Sequence, residues 1–371
     1  MSLRWISKRA GSFDSSGIRK VFDLASNLSD PINLSIGQPD FDVQESGRLA
    51  MIDAINSCNG GYTQTQGLPQ LRTAIQSRID AKYGHANRTV FIASGTSGAL
   101  TLALMATVDS GDEVIFFDPY FVMYHALVCM MGGVPVVVST YPDFAYNTER
   151  LEAAITPRTK VIILNSPANP TGKVATQNEV KSIAEIAAKN DILLISDEIY
   201  QSFCYNGKFV SPAEYNSETL VLDGFSKSHG MPGWRVGFAH GQKELIEQML
   251  KFQQYTFVCA PRVGQLGALA ALDADLSGQI ESYRKRRDMI FDAIKDDYEI
   301  NKPEGAFYMF PKIPSQYKNA TEFVEKAITE FSLLVIPGNA FSNQDTHFRI
   351  AYSATESTIQ RGIDALKKLA K

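Results

Sequence analysis

No run of eighteen consecutive apolar residues occurs in this 371-residue chain, which excludes an apolar membrane-spanning helix. Positive charge is not in excess. The 36 Lys and Arg stand against 40 Asp and Glu, a formal net charge of -4 that leaves no electrostatic footprint for nucleic acid. The four cysteines, Cys58, Cys129, Cys204 and Cys259, are too far apart for a metal-ligand spacing. Three have large apolar neighbours, so they read as buried free thiols of a reducing compartment. The five histidines, His85, His125, His229, His240 and His347, show no metal spacing either and read as structural. The opening Met1 to Arg9 has charges but no apolar segment after them, which argues against a secretory leader and for the cytoplasm. Internal repeats and low-complexity segments are absent.

What is present is a 44% hydrophobic composition over a length sufficient for two domains. Residues 1–45 read as an N-terminal arm with a short helix near 16–28 and an alternating run from Ile32 that turns at Gly37-Gln38-Pro39. Helices follow near 46–57 and 68–83, the second with Leu71, Ile75 and Ile79 on one face. From Arg88 the pattern becomes strands alternating with helices, with strands near 89–93, 113–117, 134–138, 160–164, 191–196, 219–223 and 235–239. Runs such as Val161 to Leu164 and Ile192 to Ile195 are apolar without interruption, as expected for strands covered on both faces. This is an α/β class chain: a large domain over 46–275 with a mainly parallel seven-stranded sheet, then a smaller α+β domain over 276–371. A long helix near 275–296 joins them, and its Tyr283-Arg284-Lys285-Arg286-Arg287 cluster reads as a solvated face. Short strands near 305–310, 333–336 and 348–352 and a closing helix from Glu356 complete the small domain.

The centre of the chain is Gly224-Phe225-Ser226-Lys227-Ser228-His229-Gly230-Met231-Pro232-Gly233-Trp234-Arg235-Val236-Gly237. A lysine at the end of an apolar strand gives up its proton more readily than one in water, and glycines let other groups come close. Eight residues on, the fork of Arg235 suits a phosphate. This stretch resembles the pyridoxal-phosphate attachment site of class I aminotransferases, enzymes of fold type I with a three-layer α/β/α large domain. Many members of that family have serine where this chain has Gly224.

The resemblance extends over about residues 15–355, with its motifs in the family's order. It implies pyridoxal 5′-phosphate as cofactor, attached covalently to Lys227. Ile92-Ala93-Ser94-Gly95-Thr96-Ser97 turns from strand to helix, where backbone amides and the helix dipole favour an anion. The resemblance assigns the phosphate to Gly95, Thr96, Ser97, Ser226 and Arg235, and to Tyr62 of a neighbouring subunit, which implies a homodimer with shared active sites. In Asp118-Pro119-Tyr120-Phe121 it assigns Phe121 to stacking on the cofactor ring. In Asn165-Ser166-Pro167-Ala168-Asn169-Pro170-Thr171-Gly172 it gives Asn169 a hydrogen bond to the ring oxygen, which Tyr200 shares. Asp197, a carboxylate ending a buried strand, needs a partner there, and the resemblance supplies the ring nitrogen. Lys227 is then the acid and base that moves the substrate proton.

Near the C-terminus, His347-Phe348-Arg349-Ile350-Ala351-Tyr352-Ser353 resembles the segment whose arginine, here Arg349, clamps the substrate α-carboxylate. The segment Gly37-Gln38-Pro39-Asp40 resembles the family's glycine-x-proline-aspartate segment, which implies that the Gly37 backbone meets the same substrate. The implied activity is transfer of an amino group from an L-α-amino acid to a 2-oxo acid by two half-reactions, with no nucleic-acid or membrane partner and no metal. A pyridoxal-phosphate β-lyase shares every cofactor contact and is the alternative. Arg19 and Lys20 are candidates for a second cation at the substrate side chain; Met105, Tyr124 and Met131 are candidates for an apolar pocket.

Overall fold

Alternation within fully apolar runs builds a sheet buried on both sides. Val114, Phe116, Val161, Ile163 and Ile195 face one core layer; Ile115, Phe117, Ile162, Leu164 and Leu194 face the other. The computed structural model describes residues 4–13, 21, 28–57 and 60–371. The expected helix near 16–28, with Arg19 and Lys20, lies outside the described residues apart from Val21 and Leu28, as does Cys58.

In chain order, β1 (Ile32–Asn33) precedes α1 (Glu45–Asn56) and α2 (Pro69–Tyr83). Then come β2 (Arg88–Ser94), α3 (Gly95–Thr107), β3 (Glu113–Asp118), α4 (Met123–Met131), β4 (Val134–Ser139), α5 (Thr148–Ala154) and β5 (Thr159–Asn165). After α6 (Gln177–Lys189) follow β6 (Leu193–Asp197), β7 (Leu220–Gly224), β8 (Val236–Gln242), α7 (Lys243–Tyr255) and α8 (Arg262–Ala271). The last part holds α9 (Ser277–Ile294), β9 (Tyr308–Met309), α10 (Ala320–Phe331), β10 (Leu333–Leu334), β11 (Ile336–Pro337), β12 (Phe348–Ala351) and α11 (Glu356–Leu369).

The seven expected strands form one sheet in the order β2-β8-β7-β6-β5-β3-β4. Pairing is parallel from β7 through β6, β5 and β3 to β4, while β8 runs antiparallel to both β2 and β7. A second sheet, β11-β12-β9, is antiparallel, and β1 pairs in parallel with β10. The arm's strand is therefore tied to the C-terminal part of the chain. One apolar cluster joins Tyr283, Phe307, Phe323 and Ile350 from that part to Ile199, Tyr200 and Phe203 just beyond β6, so the two parts meet at the carboxyl end of the large sheet.

Three expectations need correction. The strand near 305–310 shortens to two residues, because Ala306 takes a left-handed backbone (φ 53°) that ends the extended run. The cluster on α9 is not a uniformly solvated face. Tyr283 and Arg287 are buried, with Tyr283 donating to Asp40 Oδ1 at 2.9 Å and Arg287 Nη1 to the Pro303 carbonyl at 3.0 Å. The free thiols Cys129, Cys204 and Cys259 are half-buried rather than fully enclosed.

Close packing of α3 on the sheet depends on Gly237. A Cβ there would collide with the Thr96 amide nitrogen and lie 2.5 Å from the Gly95 carbonyl carbon, both backbone atoms. Gly237→Ala is therefore expected to destabilise the protein by about 2–3 kcal/mol through overpacking. An unchanged midpoint in urea unfolding would contradict that packing.

Candidate active site

The carboxyl ends of β5, β6 and β7, where open α/β sheets bind ligands, border a cavity of about 370 Å3. Of the residues singled out in the sequence, Gly37, Thr96, Ser97, Phe121, Asn169, Asp197, Tyr200, Ser226, Lys227, Arg235 and Arg349 line it. Gly95 adjoins it from beneath: its backbone is left-handed (φ +73°), and a Cβ there would strike the Arg235 guanidinium. Tyr62 does not reach it; its side chain is 82% exposed in the chain.

One end of the cavity is built for an anion. The N-terminus of α3 has no side-chain cap, so its first amides are open. Arg235 stands beside it in a left-handed conformation (φ 53°), costly for a non-glycine residue. Its Nη1 donates to the Pro232 carbonyl at 2.8 Å, which braces the guanidinium. Gly224 has a local reason: a Cβ there would lie 2.8 Å from Gly237 Cα and 2.9 Å from Thr96 Oγ1. The Thr96 hydroxyl occupies that space and donates to the Asp223 carbonyl at 3.2 Å.

Asp197, 5% exposed, ends β6 and lines the same cavity. Its Oδ2 accepts from the Tyr124 hydroxyl at 2.7 Å and its Oδ1 from the Ile199 amide at 3.3 Å. Burial pushes this carboxyl up; the Tyr124 hydrogen bond, the Ile199 amide and the Lys227 charge oppose the rise. Asn165 fastens the neighbourhood, donating from Nδ2 to the Asp197 carbonyl at 3.1 Å and accepting the Asn169 amide at 2.9 Å.

Lys227 lines the cavity too, and its Nζ donates to the Gly37 carbonyl at 2.6 Å. Burial, then the charges of Arg349 and Arg235, lower its pKa to about 8, against a smaller opposing effect of Asp197. Arg349 is 2% exposed. Its Nη1 donates to Asn169 Oδ1 at 3.0 Å and its Nη2 to the Ser35 carbonyl at 2.6 Å, while Nε has no partner among the described residues. The rings of Tyr308 and Phe341 flank the guanidinium at 4.7 and 4.6 Å.

Sequence reasoning missed two residues here. Tyr308 meets the Tyr200 hydroxyl at 2.7 Å and packs so closely on Gly37 that any Cβ there would collide with its hydroxyl. It lies in an apolar stretch, Gly305 to Phe310, with no polar neighbour to mark it. Tyr124, a candidate for an apolar pocket wall, instead lies behind Asp197; Met131 does not line the cavity, and Met105 borders a different depression. Asn165 begins a motif already singled out, which was the available signal for it. No group of three or more His, Cys, Asp or Glu able to hold a metal occurs among the described residues. None of the described helices is long and apolar enough to cross a membrane.

An uncapped helix start beside an arginine, a buried carboxylate and a buried amine, gathered on one cavity, fit a flat ring that bears a phosphate and an aldehyde. The comparisons agree. The sequence profile described as aminotransferase class I and II matches residues 29–366. The chain is 35% identical to the probable aspartate aminotransferase of Methanocaldococcus jannaschii over 98% of its own length and 99% of the relative's. It is 32% identical to aromatic-amino-acid aminotransferase 2 of Thermococcus litoralis, over 99% and 98%. A double mutant of Thermus thermophilus aspartate aminotransferase superposes with a TM-score of 0.94 at 31% identity, over 99% of this chain and 100% of that one. The chain therefore belongs to the class I and II aminotransferase family, and it is an enzyme that transfers amino groups. The proteins named here are aminotransferases and lend no support to the β-lyase alternative.

Without cofactor, Lys227 is neutral above about pH 8. Its labelling by an amine-selective reagent should rise with a midpoint near that pH, well ahead of a solvated lysine at about 10.4. A midpoint of about 10 or higher would mean that burial does not act on this amine as described.

Proposed function

We propose that the cavity holds pyridoxal 5′-phosphate and that the chain moves the amino group of an L-α-amino acid to a 2-oxo acid in two half-reactions. The observation that carries this reading is the meeting of Lys227, Asp197 and Arg349 in one cavity, none of them with an ion-pair partner among the described residues. Bound there, the cofactor supplies an aldehyde that accepts the amine and a ring that takes up the electron pair released at the substrate Cα.

The residues divide the remaining work. Arg235, Ser226 and the start of α3 at Gly95, Thr96 and Ser97 hold the phosphate. Phe121 would pack on the ring, and Asn169 and Tyr200 would hydrogen-bond its oxygen. Asp197 keeps the ring nitrogen protonated, and the positive charge it meets there offsets the cost of its burial. Lys227 would hold the cofactor by its aldehyde, and its amine is the group placed to accept the proton from the substrate Cα and deliver it to the carbon of the former aldehyde. Its low pKa gives it a substantial neutral fraction near neutrality. Arg349 would bind the α-carboxylate with charge-assisted hydrogen bonds from its guanidinium. The Gly37 backbone lies beside the same group.

Tyr62 enters this scheme from a second copy. Its exposure, and that of Tyr255, Phe257 and Val258, supports a homodimer in which each subunit contributes a tyrosine to the other's phosphate site. The division into an arm over 1–45, a large domain over 46–275 and a small domain over 276–371 accords with the separate sheets and with the pairing of β1 to β10. A cytoplasmic setting fits the free thiols Cys129, Cys204 and Cys259.

Lys227→Ala should abolish turnover with amino-acid and 2-oxo-acid pairs while leaving the fold intact by circular dichroism. Turnover near the wild-type rate would refute its role. Arg349→Ala should lower kcat/KM for α-amino acids by on the order of a hundredfold, through loss of two charge-assisted hydrogen bonds. An unchanged kcat/KM would remove that assignment.

A further inference from the structure

The amino-transfer scheme occupies every charge on the active-site cavity. Among the described residues its cations are Lys227, Arg235 and Arg349, and these serve the aldehyde, the phosphate and the α-carboxylate. Asp197, the carboxylate on the same lining, serves the ring nitrogen. What remains is uncharged: Ile36, Leu100, Met123, Ile199 and Pro232 are apolar, and Gln38 is a neutral amide.

Ile36 has a defined place within that remainder. The Ser35 carbonyl before it accepts from Arg349 Nη2 at 2.6 Å, and the Gly37 carbonyl after it accepts from Lys227 Nζ at 2.6 Å. Consecutive residues lie about 3.8 Å apart along the backbone, so Ile36 sits between the group that holds the substrate carboxylate and the amine that attends the substrate Cα. The substrate side chain leaves from that same Cα. Ile36 lines the cavity and is 39% exposed, whereas Leu34 and Ser35 just before it are buried. Met123, the first residue of α4, lines the cavity two residues beyond the aromatic assigned to the ring.

We propose that the amino donor carries an uncharged, apolar side chain packed on Ile36 and Met123, rather than a second carboxylate. The proposal rests on the amino-transfer reading and names its substrate class, which membership of the family leaves open. An apolar side chain laid on Ile36 removes hydrocarbon surface from water, a favourable step. A carboxylate in the same position gives up water and meets no spare cation among the described residues, which is unfavourable. Gln38 can donate a hydrogen bond to it but cannot neutralise it.

The first half-reaction separates the two classes without any acceptor. The cofactor-loaded protein is mixed with L-leucine, L-phenylalanine, L-aspartate or L-glutamate, and the second-order rate constant of the absorbance change is read. The better apolar donor should exceed the better acidic donor by about tenfold or more. Carboxylates that lack the amine report binding alone: in calorimetry, 4-methylpentanoate should bind about tenfold or more tightly than succinate. Ile36→Ala should slow L-leucine about tenfold more than it slows L-alanine, and equal slowing would overturn the place given to Ile36. Acidic donors as fast as the apolar ones would overturn the proposal and leave the amino-transfer reading standing, and succinate bound as tightly as 4-methylpentanoate would do the same. No absorbance change with any L-α-amino acid would overturn that reading, and the proposal with it.

Discussion

A guanidinium buried with no carboxylate partner among the described residues is the constraint on which the site's architecture turns. Arg349 is held by two carbonyl oxygens, those of Asn169 and Ser35, and by two aromatic faces. Neutral acceptors soften the loss of water around a buried charge, a loss of several kcal/mol for a single ion, but do not cancel it. Burial makes Lys227 lose its proton more easily, and the same excess of positive charge, with Arg349 leading, adds to that shift. An anion entering beside Arg349 relieves both. Binding of a carboxylate and the state of the amine are thus linked through one field.

The fold supplies this arrangement at the ends of parallel strands. Asp197 ends β6 and lines the cavity, while the consecutive Glu198 lies on the other side of the cavity wall, as alternation at a strand end requires; Tyr200 follows in a turn. The anion end depends on how near α3 can come to β7 and β8. Gly95, Gly224 and Gly237 meet there with no room for a Cβ, which sets the helix start against Arg235. Arg349 comes from β12, more than a hundred residues beyond Lys227, and reaches the site because the second sheet packs on Ile199, Tyr200 and Phe203.

Much of this was legible in the residues. The seven strands could be read because buried parallel strands are apolar without interruption, and the order of the motifs marked eleven lining residues of the cavity. The hidden parts share a physical cause. Tyr308 and Tyr124 act through one hydroxyl on an otherwise apolar ring, so within apolar stretches they look like core. The burial of Arg287 inside a basic run was equally hidden, since its partners are the Pro303 carbonyl and Asp288. The glycine at 224 looked like a missing hydroxyl; the cross-strand pairing with Gly237 shows that the space is already filled by Thr96.

The account's central claim is that one cavity, with Lys227 as its acid and base, takes the amino group from an amino acid and keeps it. The most direct test is to mix the cofactor-loaded protein with single L-α-amino acids, omit any 2-oxo acid, and follow the cofactor absorbance together with the products. The account predicts that a donor converts the spectrum to that of the aminated cofactor, with one 2-oxo acid released per site and no free ammonia. Ammonia released with continued turnover and an unchanged spectrum would contradict it.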